Sequence, residues 1–174
     1  MTQTFSTLHG LPVETESVSN VTSTNSVDVG TVRYYNGEEY VYVYNNGAQS
    51  ALVGNIMVLS FNSGYSLTAS STTGYDIAMG VVKHAAIGTG QFGWIITRGF
   101  TKVVNAMQST AMTAGDPLVP AAGGGAQNLN VSTTALCGQV GLIGVPAFGY
   151  VVSGCPSGAS ANSLVWAYVR CWGS

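Results

Sequence analysis

A nucleophile needs a base within hydrogen-bond reach, and this chain supplies few candidates for either. The nearest approach to a G-x-S-x-G elbow is "GCPSG" at 154–158, where the serine stands one position late and a proline disrupts the turn. His9 falls in a Thr/Ser-rich stretch and His84 follows Lys83 after an apolar run, so neither is placed beside a serine or cysteine. The carboxylates are Glu14, Glu16, Asp28, Glu38, Glu39, Asp76 and Asp116. Glu38 and Glu39 are consecutive in a strand pattern and point to opposite faces, which rules them out as a glycosidase pair. Asp116 in "AGDPL" has no second oxygen ligand near it, and "GGG" at 123–125 lacks the Lys-Ser/Thr and the helix of a phosphate loop. Cys137, Cys155 and Cys171 are odd in number and widely spaced, fitting small buried hydrophobes better than a disulfide framework or a zinc site. The expectation is therefore no catalytic residue, no cofactor and no metal.

Composition narrows the alternatives. Only 7% of the 174 residues are charged, 23 are glycine, and the formal net charge is −2. Nucleic acid needs clustered Lys and Arg to displace counterions, whereas Arg33, Lys83, Arg98, Lys102 and Arg170 read as scattered. That spacing also gives no polybasic membrane patch, and no apolar run reaches the roughly 18 to 20 residues of a membrane span. "MTQTFSTLHG" has neither the basic nor the apolar region of a signal peptide, so "NVT" at Asn20 and "NVS" at Asn130 carry little weight as glycosylation sites.

The elements that must position any binding residues are strands. Residues 1–29 lack a sustained period and read as an extended arm, with Phe5, Leu8, Leu11 and Val13 as apolar anchors. From Gly30 onward, β-branched and aromatic runs alternate with turn residues. Asn36-Gly37 marks a type I′ hairpin, and on its return strand Tyr40, Tyr42 and Tyr44 fall on one face with Val41 and Val43 on the other. Further runs lie between "NNG", "NSG", "STTG", "GTG" and "TAGD", and no 3.6-residue stripe persists over three turns. Residues 30–174 thus read as one all-β domain: an antiparallel β-barrel, β-tulip-like, or a sandwich.

The domain also looks internally duplicated. "ALVGNIMVL" (51–59) aligns with "MTAGDPLVP" (112–120), "AMGVV" (78–82) with "LCGQV" (136–140), and "FGWIITRG" (92–99) with "FGYVVSG" (148–154). Three collinear matches define units of about 51–99 and 112–154 related by a pseudo-twofold. Glycine inside a strand weakens it unless a bend or a close backbone approach requires it, so its repetition points to geometry.

The segments "GTVRYYNGEEYVYVYN" (30–45), "GNIMVL" (54–59), "MGVVKHAAIGTGQFGWIITRG" (79–99), "TAGDPLVP" (113–120) and "CGQVGLIGV" (137–145) together resemble the small head decoration, or cement, proteins of tailed bacteriophages. The resemblance implies a homotrimer on the outer surface of the virion capsid, bound to the major capsid protein and bracing the shell against DNA pressure, without enzyme activity. In such a trimer Tyr40, Tyr42, Tyr44, Trp166 and Trp172 are candidates for the subunit interface, and the arm for capsid attachment. A tail or fibre tip domain binding a receptor glycan is the alternative, with Tyr34, Tyr35, Tyr65 and Trp172 as stacking candidates. A small hydrolase comes third and would need His84 beside a carboxylate and a serine or cysteine.

Overall fold

The computed structural model describes residues 6–8, 11–13, 17–59, 66–69, 78–104, 112–121, 124–128, 147–154 and 163–171. β-branched and aromatic runs form strands, and the Gly- and Asn-rich junctions form the turns between them. The first two strands, β1 (Ser6–Leu8) and β2 (Leu11–Val13), pair antiparallel as a separate hairpin with Thr7 opposite Pro12. β3 (Val32–Tyr35) and β4 (Glu38–Asn45) make the expected second hairpin. Its turn residues Asn36 and Gly37 have φ of 51° and 78°, the positive values a type I′ turn demands.

The remaining strands are β5 (Ile56–Leu59), β6 (Ser66–Ala69), β7 (Ala78–Val82), β8 (Phe92–Val104), β9 (Pro117–Pro120), β10 (Ala126–Asn128), β11 (Gly149–Ser153) and β12 (Leu164–Arg170). With β3 and β4 they form one ten-stranded sheet in the order β10-β9-β11-β12-β8-β7-β5-β6-β4-β3. Every ladder in it is antiparallel except the two-residue pairing of β4 with β6. The 13-residue β8 organises this sheet: its first half also pairs with β4, and its second half runs beside β12. The all-β antiparallel architecture is as expected, but the ten-stranded sheet as a whole is not closed into a barrel: β4 pairs with both β6 and β8, which joins β4, β6, β5, β7 and β8 in a ring, and β12, β11, β9 and β10 continue beyond β8. Among the described residues its end strands β3 and β10 each have a single partner.

The registers reveal a duplication that differs from the one suggested by "FGW" and "FGY". Strand order reads outward from the β8–β12 pair as β7-β5-β6 on one side and β11-β9-β10 on the other. In one half the Gly54 N–H bonds Val82 O at 2.8 Å and the Val82 N–H bonds Asn55 O at 2.9 Å; in the other Gly115 bonds Val151 at 2.8 Å and Val151 bonds Asp116 at 2.9 Å. Gly54 and Gly115 share a left-handed backbone, φ 89° and 91°. β11 is thus the counterpart of β7, and β12 the counterpart of β8. "MGVV" (79–82) matches "FGYV" (148–151), while "WIITRGF" (94–100) matches "WAYVRCW" (166–172). The two Phe-Gly strands occupy non-equivalent positions, so the units run beyond 99 and 154. The segment 136–140 lies outside the described residues.

Two buried clusters flank the sheet. The larger contains Tyr40, Tyr42, Trp94, Ile96, Leu118, Phe148, Val151 and Val165; the smaller contains Val43, Met57, Val82, Ile87 and Ile95. Consecutive residues Ile95 and Ile96 therefore point into different clusters, as strand alternation requires. Tyr40 and Tyr42 go to one side and Val43 to the other, matching the two-faced pattern read from the sequence.

The stretch 17–29, expected to belong to the arm, lies on the domain. Val18 and Val27 are buried in the larger cluster. Thr22 and Phe92 exchange two backbone hydrogen bonds of 2.8 and 3.0 Å, and the Ser26 hydroxyl lies 3.0 Å from that of Tyr42. Two valines spaced nine apart gave no periodic signal, yet each fills a gap in the core.

Candidate interaction surface

One group of titratable side chains gathers near the turn end of the β3–β4 hairpin. Lys83 reaches Glu38 with Nζ 2.6 Å from Oε1 and 2.5 Å from Oε2, and donates to the Phe100 carbonyl at 2.9 Å. The Tyr40 hydroxyl donates to Glu38 Oε2 at 2.5 Å and lies 3.0 Å from His84 Nε2, with the two rings stacked at 5.6 Å. Burial, reinforced by the bond to Glu38, pushes the Tyr40 phenol well above its ordinary value. Burial and then the Lys83 charge hold His84 below the ordinary imidazole value, opposed by Glu38. His84 is thus grouped with a phenol, an ammonium and a carboxylate. Among the described residues no three of His, Cys, Asp and Glu are grouped as metal ligands. Cys171 is buried, and burial pushes its thiol pKa up to about 12, which suits packing and not nucleophilic attack.

A different kind of site lies on the outer face of β11, β12 and the second half of β8. Alternate residues point outward here: Tyr150 and Val152; Leu164, Trp166, Tyr168 and Arg170; Arg98, Phe100 and Lys102. Phe100, Tyr150 and Trp166 are 51%, 47% and 48% exposed, large values for aromatic side chains. Register sets them side by side, with Phe100 opposite Tyr168, Lys102 opposite Trp166, and Tyr150 opposite Tyr168. The Tyr168 ring meets Phe100 edge-on at 5.0 Å and stacks on Tyr150 at 5.4 Å. The Lys102 ammonium sits 5.3 Å above the Trp166 ring. Arg98 hydrogen-bonds Tyr168, which raises the guanidinium pKa further. Arg98 and Arg170 stand directly opposite each other across the strand pair.

Of the expected interface residues, Trp166 is on this surface. Tyr40 and Tyr42 are not available to a second subunit: both are fully buried, because strand alternation that made them look like a shared face turns them into the larger core. Tyr44 is half-buried with its ring 4.7 Å from Phe92. Trp172 and the arm residue Phe5 lie outside the described residues; Leu8 is on β1, and Leu11 and Val13 are on β2. Sequence reading missed Arg98, Phe100, Lys102, Tyr150, Tyr168 and Arg170 as a group. The signal was the alternation in "RGFTK" and "WAYVR", where aromatic and basic residues share one parity. Arg98, Lys102 and Arg170 are scattered along the chain but not in space.

No protein-family model matches the chain, and no curated protein matches it. Among solved structures the chain is similar to the head fiber gp8.5 N base of bacteriophage phi29, at 14% identity and a TM-score of 0.48, over 75% of this chain and 94% of that one.

Proposed function

We propose that this protein is a structural component of a phage head: a decoration protein that binds the outer surface of the capsid, contacts the major capsid protein, and braces the shell. The observation that carries the reading is the aromatic and basic face of β8, β11 and β12. It is broad and open, and its residues are of the types enriched where proteins meet. A decoration protein works by many copies on a lattice, so modest binding at each site adds up. Stoichiometry in purified particles tests the reading. Hundreds of copies per virion, and heads that release DNA at lower temperature without the protein, are the expected results; a few copies per particle would reject it.

A tail or fibre tip domain that binds a glycan is the second reading, favoured by the 73% exposure of Tyr34 and the 45% exposure of Tyr35 beside the β3–β4 turn. Binding of the isolated protein to host surface glycans, abolished by Tyr34→Ala, is its expected signature.

A further inference from the structure

We infer that the outer face of β8, β11 and β12 docks on an acidic protein surface, and that the Arg98, Lys102 and Arg170 charges select it. The inference rests on the head-decoration reading for the identity of the partner, an acidic patch of the capsid shell, but not for the chemistry of the face.

Three of the five basic residues of the chain stand on this one face. Among the described residues none of the three has a carboxylate within ion-pair distance; the pair that does form, Lys83 with Glu38, is at the neighbouring hairpin. The carboxylate that acts on Arg98 is Glu39, which is 5% exposed and accepts a hydrogen bond from the Thr97 hydroxyl at 2.7 Å. Like charges directly opposite in a sheet are unfavourable. Arg98 opposite Arg170 therefore sets two guanidinium groups where a single anion can bridge both.

Between the cations lie Phe100, Tyr150, Tyr168 and Trp166, rigid side chains that give large contact area for little lost rotamer freedom. The geometry is a sheet face, suited to another protein's surface. A second copy presenting the same face would set three cations against three cations. A polyanion such as DNA would meet a molecule of net charge −2 with few other cations to follow its backbone.

The test uses the full chain and its triple variant R98E/K102E/R170E, with Trp166→Ala as a second, uncharged probe and thermal unfolding as the control for folding. Heads lacking this protein are mixed with each form and sedimented. The expected result is binding by the wild type that weakens with salt, and at least about a tenfold loss for both variants at unchanged oligomeric state. Wild-type binding that the variants retain overturns the inference and leaves the head reading intact. Loss of self-association in the variants also overturns it, since a second copy would then be the occupant. If the wild type fails to bind heads, the head reading falls, and the face is judged on immobilised poly-glutamate. Retention by the wild type and not by the triple variant supports the inference there. Equal retention, or stronger binding to single-stranded DNA or a carboxylated polysaccharide than to poly-glutamate, overturns it.

Discussion

At Gly80 and Gly149 a strand residue is glycine because a neighbouring carbonyl occupies the space a Cβ needs. A Cβ on Gly80 would come within 2.8 Å of the Ile96 carbonyl oxygen, and one on Gly149 would fall closer still to the carbonyl of Tyr168. Ile96 and Tyr168 are counterparts in β8 and β12, so both halves carry one constraint. Gly80→Ala and Gly149→Ala are each expected to lower stability by about 1–3 kcal/mol, as overpacking does, in urea unfolding. A larger loss for Gly149, whose obstacles are all backbone, is part of the expectation. Cys171 makes a second prediction at this scale. Its thiol has a folded pKa of about 12 against an ordinary 9.0. The native state therefore holds the proton more tightly, and the stability this contributes is complete below about pH 9 and lost as pH rises towards 12. In a Cys137→Ser/Cys155→Ser background, Cys171 should resist a thiol reagent at pH 8 until the protein unfolds. Rapid labelling of the native protein would contradict the burial.

The repeated turn before β5 and before β9 is where elements are pinned, and the Asx side chains of its two copies differ by one atom type. Asn55 Oδ1 accepts from the Leu52 N–H at 2.7 Å, and Asp116 Oδ2 accepts from the Thr113 N–H at 2.7 Å. Asn55 is buried, and its amide also donates to the Gly124 carbonyl at 3.4 Å, a bond a carboxylate cannot make. Asn55→Asp should thus destabilise by about 1–3 kcal/mol through a buried acceptor facing an acceptor. A denaturant midpoint unchanged by the substitution would show that the bond to Gly124 contributes nothing. This element was legible in the sequence as "VGN" and "AGD" because the turn demands a left-handed glycine and an Asx side chain at fixed spacing. The β3–β4 hairpin was legible for the same reason. The correspondence of β7 with β11, and of β8 with β12, was not. It is carried by hydrogen-bond register, while the visible likeness of "FGW" to "FGY" links strands with different neighbours. The aromatic and basic face of β8, β11 and β12 was illegible for a related cause: its residues come from three strands, and only pairing sets Phe100 beside Tyr168.

For the molecule as a whole, the boundary between arm and domain decides what can be removed. Low apolar content made residues 1–29 look like one arm, but a segment need not be amphipathic to be held if a few side chains fill core gaps and its backbone finds partners. Val18 and Val27 are 5% and 8% exposed within the main core, and Thr22 is bonded to Phe92 at the start of β8. Among the described residues the β1–β2 hairpin pairs with itself and with no strand of the large sheet. Two truncations should therefore behave differently. Removing residues 1–16 is expected to leave the urea midpoint within experimental error of the full chain. Removing residues 1–28 strips two buried valines and the Thr22–Phe92 pair, and should cost about 3–5 kcal/mol, enough to unfold a marginal domain. If residues 6–13 anchor the protein to a capsid, the shorter truncation separates the two roles: it should lower occupancy on heads while the domain remains as stable as before. A 1–28 deletion as stable as the full chain would mean that Val18 and Val27 contribute nothing to the core. A 1–16 deletion that unfolds would mean that the hairpin does.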